Sequence, residues 1–177
     1  MAEQGRRIHP TAIVDPGAEI AEEVVIGPYC VIENNVVIGP GTRLGPHVVV
    51  HAGTRLGRDN IVRAGAVLGA EPQDLKYRGE PTPLIIGDSN RIGEYVTISR
   101  GTEAGRGETR IGNGNYLMGM AHVGHDCIIG NEAIVTQGVG LSGMVTVEDW
   151  AVLGGMAGVH QFVRIGRLAM IGAMCKV

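Results

Sequence analysis

The chain has 177 residues, a length typical of one domain, and a formal net charge of -3 at pH 7. This charge argues against a general nucleic-acid binder, and no apolar run reaches the ~18–20 residues of a membrane span, so we expect no membrane insertion. The first residues lack the apolar stretch of a secretion signal, which predicts a cytoplasmic location.

The composition predicts a narrow interior. Glycine is abundant, with 29 residues, whereas aromatic residues make up only 3% of the chain. A protein that avoids Phe, Tyr and Trp fills its core with aliphatic and small side chains. Cys30, Cys127 and Cys175 form no close-spaced motif, and their odd number argues against a disulfide framework.

Aliphatic residues recur at every sixth position along most of the chain. The series runs from Ile8 to Leu68, resumes from Ile86 to Ile98 and continues, one residue out of phase, from Ile111 to Val177. Such a period fits neither a helix nor a flat strand, and it is typical of a parallel β-helix with three hexads in each triangular coil. The residue after the aliphatic is Gly in about half of the hexads, and we assign to it the role of permitting the turn. The fourth residue after the aliphatic is mostly small and should pack at a corner.

The rhythm is interrupted twice. Prolines and charged residues replace the aliphatics between Leu68 and Ile86, and a polar stretch separates Ile98 from Ile111. We therefore predict one β-helix domain over residues 1–177 with loops at about 69–85 and 99–110. A rigid solenoid does not need long loops for stability, so these loops are expected to serve function.

The best candidate for chemistry is His125, followed by Asp126. A neutral imidazole can take a proton from a hydroxyl while a carboxylate holds its tautomer, so the pair suits general base catalysis. Residues one coil apart stack, which gathers His122, His125, His160 and Gln161 on one side of the prism. The alternative interpretation is a solvated pair at a turn.

Two other possibilities follow from the same residues. His122, His125 and His160 are potential zinc ligands, but His160 lies two coils away, so we expect no metal site, and Cys127 occupies a structural corner position. Cationic residues flank the loops and form either a solvated surface or an electropositive rim for a phosphorylated substrate or acidic carrier protein. These residues are Lys76, Arg78, Arg100, Arg106 and Arg110.

Five motifs resemble the bacterial UDP-N-acetylglucosamine O-acyltransferases that begin lipid A synthesis, and the likeness covers essentially the whole chain. The motifs are His9-Pro-Thr-Ala-Ile-Val, Gln73-Asp-Leu-Lys-Tyr-Arg-Gly-Glu-Pro-Thr, Arg100-Gly-Thr, His122-Val-Gly-His-Asp-Cys and Gly154-Gly-Met-Ala-Gly-Val-His-Gln-Phe. The resemblance implies an all-β, left-handed parallel β-helix, an exception to the usual right-handed crossover. It also implies a homotrimer with active sites in clefts between neighbouring prisms, and no cofactor.

The implied reaction moves an acyl group, usually 3-hydroxyacyl, from acyl carrier protein to the 3-hydroxyl of UDP-N-acetylglucosamine. In this resemblance His125 is the general base and Asp126 orients it. Substrate binding is implied for Gln73, Asp74, Lys76, His122, His160 and Gln161, with Asp74 and Lys76 reaching the sugar nucleotide from the adjacent chain. The acyl groove is implied for Gly155, Met170 and Ala173.

Two departures from the family keep alternatives open. Met144 stands where the family usually has a histidine, and we expect the family's C-terminal helical domain to be absent. Both favour an acyltransferase acting on a different nucleotide sugar as the alternative. A zinc protein like the γ-carbonic anhydrases is a third possibility, although that family spaces two histidines five apart and here the spacing is three. A non-catalytic trimeric scaffold is the fourth.

Overall fold

The structure, a computed structural model, describes residues 7–177. Residues 1–6, from which the absence of a secretion signal was predicted, lie outside the described residues. Within residues 7–177 every regular element is a short β-strand, and no helix has the length and apolar character needed to cross a membrane.

Twenty-five strands of two to four residues follow one another over the described part of the chain. They are β1 (Arg7–Ile8), β2 (Ile13–Val14), β3 (Glu19–Ile20), β4 (Val25–Ile26), β5 (Val31–Ile32), β6 (Val37–Ile38), β7 (Arg43–Leu44), β8 (Val49–Val50), β9 (Thr54–Leu56), β10 (Ile61–Val62), β11 (Val67–Ala70), β12 (Leu84–Ile86), β13 (Arg91–Ile92), β14 (Thr97–Ser99), β15 (Thr109–Ile111), β16 (Tyr116–Leu117), β17 (His122–Val123), β18 (Ile128–Ile129), β19 (Ile134–Val135), β20 (Gly140–Leu141), β21 (Thr146–Val147), β22 (Val152–Leu153), β23 (Gly158–Val159), β24 (Arg164–Ile165) and β25 (Met170–Ile171).

Every third strand belongs to the same sheet, which gives a prism with three sides. Sheet A begins with β1 and β4 and has nine strands; sheet B begins with β2 and β5, and sheet C with β3 and β6, and each has eight. All pairs are parallel, and Ile8 lies opposite Ile26, one coil of 18 residues further on. The chain is thus the left-handed parallel β-helix that the resemblance implied.

The repeated aliphatic residues fill the inside of the prism. Ile26, Ile32 and Ile38, one from each sheet, are at most 1% exposed. Burying one such side chain stabilises the fold by about 1.5–3 kcal/mol, and the repeat places one in each hexad. The six-residue period therefore predicted the core correctly from Ile26 to Ile165, whereas Ile8 and Val177, the two ends of the series, are each 39% exposed.

The turns are made differently from the sequence-based expectation. The left-handed conformation falls on the third residue after the inward aliphatic, including non-glycine residues such as Tyr29 and Met156, with φ of 57° and 61°. The glycine directly after the aliphatic serves another purpose. A Cβ on Gly27 would lie 2.9 Å from the backbone carbon of Gly45, so this glycine permits close stacking of two coils. The assignment of that glycine to the turn itself was wrong.

A ladder of buried asparagines runs along the corner between sheets C and A. The Asn90 backbone N–H and side-chain amide both donate to Asn60 Oδ1, at 2.9 and 3.0 Å. Asn90 Oδ1 in turn accepts from the backbone N–H and side-chain amide of Asn115, at 2.9 and 3.1 Å. All three side chains are fully buried, so the ladder satisfies polar groups that would otherwise be orphaned. The sequence analysis missed this ladder, although all three residues occupy the corner position after a sheet C strand.

Two segments leave the coil. Residues 71–83 connect β11 to β12, and residues 100–108 connect β14 to β15. Register across the first segment is recovered, since Ile61 pairs with Arg91 and Val62 with Ile92. Both segments depart from the end of a sheet B strand and return to sheet C, so they emerge from the same corner of the prism.

Replacing Asn90 with Ala is expected to lower the free energy of unfolding by roughly 2–6 kcal/mol, because at least two buried polar groups lose their partners at about 1–3 kcal/mol each. Urea denaturation followed by circular dichroism measures the loss. Asn34, an exposed asparagine in a turn, provides the control, and Asn34→Ala should change stability by less than about 0.5 kcal/mol. Equal effects of the two substitutions would contradict a stabilising role for the ladder.

Candidate active site

A groove of about 540 Å³ lies on sheet B and on its corner with sheet C. It is lined by His122, His125, His160 and Gln161, the four residues that the coil spacing placed on one side. Gln73 reaches the same groove from the first segment that leaves the coil, residues 71–83. The floor is open because Gly140 and Gly158, the outward residues of β20 and β23, carry no side chains.

His125 and Asp126 form a buried hydrogen-bonded pair at the edge of the groove. His125 Nδ1 lies 2.7 Å from Asp126 Oδ2; Asp126 is fully buried, and His125 is 8% exposed. Burial alone would raise the pKa of the Asp126 carboxyl, but bonds donated by His125, Thr102 and Arg106 outweigh it and hold that pKa below its ordinary value. An ionised carboxylate only accepts hydrogen bonds, so Nδ1 carries the proton and neutral His125 leaves Nε2 free as an acceptor.

The absence of a side chain at Gly143 makes room for the imidazole. Gly143 stands one coil above His125 in the same column, and a Cβ there would lie 2.5 Å from Nε2 and 2.6 Å from Cε1. The close approach of the ring therefore requires glycine. The sequence analysis did not single out Gly143, although its position 18 residues after His125 was a usable signal.

The second segment, residues 100–108, folds over Asp126. Thr102 donates twice, from its backbone N–H to Oδ1 at 3.0 Å and from its hydroxyl to Oδ2 at 2.7 Å. The backbone N–H of Arg106 donates to Oδ1 at 2.8 Å. A Cβ on Gly105 would clash with the carboxylate, so glycine lets the segment close. This loop therefore holds the carboxylate.

The loop arginines have partners within the chain. The Arg106 guanidinium donates to the carbonyl oxygens of Asp126 and Met144 and to Thr146 Oγ1. Arg100 Nε donates to the carbonyl of Gly69 at 2.9 Å. Arg110 pairs with Glu108, and Arg78 donates to carbonyls of its own loop. The contacts of Arg106 in particular hold the loop against the coil, so its guanidinium is not a free charge at the edge of the groove.

The neighbouring groups are held in neutral forms. Burial, followed by the charge of His125, lowers the pKa of His122, whose Nδ1 lies 2.8 Å from Thr97 Oγ1. Burial raises the pKa of the Cys127 thiol to about 11, and its Sγ lies 3.1 Å from the Ser142 carbonyl. Cys127 is thus a packed structural thiol. Within residues 7–177, no three His, Cys, Asp or Glu residues are arranged to hold a metal ion.

Several predicted site residues lie outside this groove. Asp74 and Lys76 occupy the first segment, where Asp74 Oδ1 accepts from the backbone N–H of Lys76 at 2.9 Å. Leu75 between them is 97% exposed. Met170 is the outward residue of β25 in sheet A, and Gly155 and Ala173 follow strands of that sheet at its corner with sheet B. Within one copy of the chain, these five predicted residues therefore lie outside the groove that contains His125.

The sequence analysis also missed Ser99 and Lys176, both of which line the groove. Ser99 ends β14 and is 3% exposed. Neither residue carries a signal in the six-residue repeat. Thr102 was quoted only as part of the Arg100-Gly-Thr motif, and its contact with Asp126 bridges 24 residues of sequence.

The coil and the groove on its side define a class of protein. Residues 7–40, 35–70 and 108–143 match the bacterial transferase hexapeptide family with its six repeats. The chain belongs to this family.

Its similar relatives carry a more specific name. The acyl-[acyl-carrier-protein]–UDP-N-acetylglucosamine O-acyltransferase of Burkholderia lata is 51% identical over 166 residues, which are 94% of this chain and 63% of the relative. The solved structure of LpxA from Acinetobacter baumannii has a TM-score of 0.95 at 46% identity, over 96% of this chain and 66% of that one. The UDP-N-acetylglucosamine acyltransferase of Francisella novicida has a TM-score of 0.95 at 42% identity, over 96% and 62%. The chain spans somewhat less than two thirds of the length of the curated relatives it matches.

Replacing Gly143 with Ala is expected to displace the His125 ring by roughly 1 Å, because a carbon and a nitrogen at 2.5 Å must separate to normal contact. The Nδ1 bond to Asp126 should lengthen or break. A crystal structure of the variant measures both distances. Gly166→Ala is the control, since a Cβ there meets nothing within 4 Å. An unmoved imidazole in Gly143→Ala would show that the ring does not depend on this glycine.

Proposed function

We propose that this protein is an acyltransferase that moves a 3-hydroxyacyl group from acyl carrier protein to the 3-hydroxyl of UDP-N-acetylglucosamine, the first step of lipid A synthesis. The single observation that carries the proposal is the His125-Asp126 pair, with Nδ1 held at 2.7 Å from a buried carboxylate and Nε2 facing a groove. The names printed for the relatives supply the substrates.

In the proposed mechanism His125 Nε2 removes the proton from the sugar 3-hydroxyl. The oxygen attacks the thioester carbonyl of the acyl carrier protein, a C–O bond forms, and the C–S bond then breaks. The proton on Nε2 passes to the departing thiolate. Asp126 stays ionised throughout and stabilises the imidazolium, as expected for a carboxylate with a low pKa. The reaction needs no nucleophile from the protein and no cofactor.

The substrate contacts belong to the same proposal. His122, His160, Gln161 and Gln73 line the groove beside Nε2 and offer hydrogen-bonding groups to the sugar nucleotide. Asp74 and Lys76 lie away from it, on either side of the fully exposed Leu75, and we assign their contacts to the groove of an adjacent copy. Gly155, Met170 and Ala173 are assigned to the acyl groove on the other edge of the interface.

The proposal includes a homotrimer, which the uncharged outward face of sheet B and its corner with sheet A support. The outward residues of sheet B are uncharged from Ile13 to Gly158, whereas sheets A and C carry outward arginines such as Arg43 and Arg55. Large exposed side chains also occupy the left-handed turn position, the third residue after the inward aliphatic, along the corner between sheets A and B, although the same turns include the charged Arg63 and Glu94. The large side chains are Tyr29, Tyr95, Met120, Met156 and Met174, at 57 to 79% exposure.

This apolar corner is packed tightly along the axis. The Tyr95 ring covers Gly65, where a Cβ would lie 2.6 Å from the ring, and Met156 covers Gly138 in the same manner. Gly155 and Ala173 border the corner, and the catalytic groove opens on the adjoining sheet B. A neighbouring copy placed here would bring its acyl-groove residues toward His125. Such an arrangement places the active site between chains.

The acyl-transfer test uses the purified chain with acyl carrier thioesters and UDP-N-acetylglucosamine, with mass detection of the product. We expect a 3-O-acyl product, and we expect His125→Ala to lower kcat roughly 100- to 10,000-fold, the usual contribution of a general base. His9→Ala, at an exposed position remote from the groove, is the matched control and should retain full activity.

Three outcomes separate the alternatives. Acylation of an amino-sugar analogue in preference to UDP-N-acetylglucosamine would favour a different nucleotide sugar, which Met144 in place of the family's histidine already suggests. Stoichiometric zinc in the purified protein would favour the carbonic anhydrase alternative. No transfer to any nucleotide sugar by the wild-type chain would overturn the proposed activity.

Charging the apolar corner should break the trimer. Met156→Arg places a cation in the column of left-handed turn residues, which from Tyr29 to Met174 holds no Asp, Glu, Lys or Arg, and we expect sedimentation velocity to show a shift from three copies of 18.6 kDa toward one. Leu168→Arg is the control, since Leu168 also lies in a left-handed turn and is 69% exposed, against 67% for Met156, but belongs to the corner between sheets C and A. A wild-type chain that sediments as a monomer would contradict the proposed assembly.

A further inference from the structure

Thr102 binds both oxygens of the Asp126 carboxylate from a single residue. Its backbone N–H reaches Oδ1 at 3.0 Å, and its hydroxyl reaches Oδ2 at 2.7 Å. Oδ2 is also the oxygen that accepts from His125 Nδ1, likewise at 2.7 Å. The hydroxyl of Thr102 and the imidazole of His125 therefore share one carboxylate oxygen.

The carboxylate has no spare acceptor site. Two oxygens offer about four lone-pair sites, and the donors that occupy them are His125 Nδ1, Thr102 Oγ1, Thr102 N and Arg106 N. With all four in place the carboxylate plane is fixed about the Cβ–Cγ bond. Removing the Thr102 hydroxyl leaves Oδ2 bound to His125 alone, and three donors instead of four then hold the carboxylate plane.

Thr102 is itself held rigidly. It is 4% exposed, and its carbonyl accepts from the backbone N–H groups of Gly105 and Gly107, which closes the loop into a tight turn. A β-branched side chain has few χ1 rotamers, so the hydroxyl cannot swing away from Oδ2 at low energy. The Arg106 guanidinium ties the same turn to Thr146 on the next coil. The loop is thus rigid, and it fixes the position of the Thr102 hydroxyl against Asp126.

We propose that Thr102 is a positioning residue of the transfer reaction, which holds the Asp126 carboxylate in the plane that presents Oδ2 to His125. The inference rests on the proposed function, in which His125 is the base, and it extends that function to the second loop. Thr102 does not line the groove itself. It acts through the orientation of Asp126 and, through it, the tautomer and direction of the imidazole.

The test compares Thr102→Val, which keeps the shape and the backbone donor but removes the hydroxyl, with Thr102→Ser, which keeps the hydroxyl. For Thr102→Val we expect kcat to fall roughly 10- to 150-fold, the range of one lost hydrogen bond to a charged group, with KM for UDP-N-acetylglucosamine within about twofold. Thr102→Ser should return kcat to within about threefold of wild type.

The pH profile separates positioning from a purely structural role. Without the hydroxyl, Asp126 loses one of the donors that hold its pKa below the ordinary value, so the pKa of its carboxyl rises. Because the proposed mechanism needs an ionised Asp126, the acid limb of kcat/KM should move to higher pH in Thr102→Val. A loss of folded protein would lower the amount of active enzyme without moving that limb. Thr54→Val is the matched control, because the buried hydroxyl of Thr54 has no hydrogen-bond partner among residues 7–177.

An unchanged kcat and pH profile in Thr102→Val would overturn the inference, as would a Thr102→Ser variant as impaired as Thr102→Val. Should Thr102→Val not fold, Thr102→Cys serves in its place, since a thiol is a weak donor, and its kcat should lie between those of the Ser and Val variants. Histidine ¹⁵N spectra supply a readout that needs no turnover. They should show an altered His125 Nδ1 signal in Thr102→Val, and an unaltered signal there overturns the positioning role even if the wild-type chain transfers no acyl group.

Discussion

In-register stacking of identical coils is the constraint on which the structure depends. Each strand pairs in parallel with the strand one coil away, and the backbone N–H groups of one coil donate to carbonyls of the next, as Gly27 N does to Leu44 O at 2.9 Å. A residue's position in the hexad therefore fixes both its depth and its corner. The aliphatic residues turn inward, the fourth residue after each packs at a corner, and the third takes the left-handed turn. The groove exists because this rule also aligns functional side chains in columns.

The site combines this regular scaffold with one irregular loop. Coil spacing brings His125 and Gly143 into one column, and the glycine gives the imidazole its space. Coil spacing does not supply the other three donors to the Asp126 carboxylate, which come from Thr102 and Arg106 in the loop over residues 100–108. A buried carboxylate with four donors remains charged, and an imidazole against it has one defined tautomer. The scaffold thus sets where His125 lies, and the loop holds the carboxylate that orients it.

The sequence predicted the features that follow the period and missed those that do not. The core, the three-sided coil and the gathering of His122, His125 and His160 all follow from counting residues. The role of the glycines after the aliphatic residues does not follow from counting. The period cannot distinguish a residue that makes a turn from one that permits two backbones to approach. The contact between Thr102 and Asp126 crosses a break in the period, so no count of hexads could reveal it. Gly155, Met170 and Ala173, the residues assigned to the acyl groove, lie on sheet A and at its corner with sheet B. Their assignment stays a prediction about the proposed homotrimer.

The fixed six-residue register determines which insertions and deletions such a chain tolerates. A single added residue inside the coil would turn every later inward aliphatic toward solvent, whereas an added block of one full coil would lengthen the prism and leave each column aligned. Odd lengths are accommodated only where the chain already leaves the coil, as between Ser99 and Thr109, after which the inward series resumes one residue out of phase. Divergence within such a fold should therefore concentrate length variation at one corner, the one that carries His125 and Asp126.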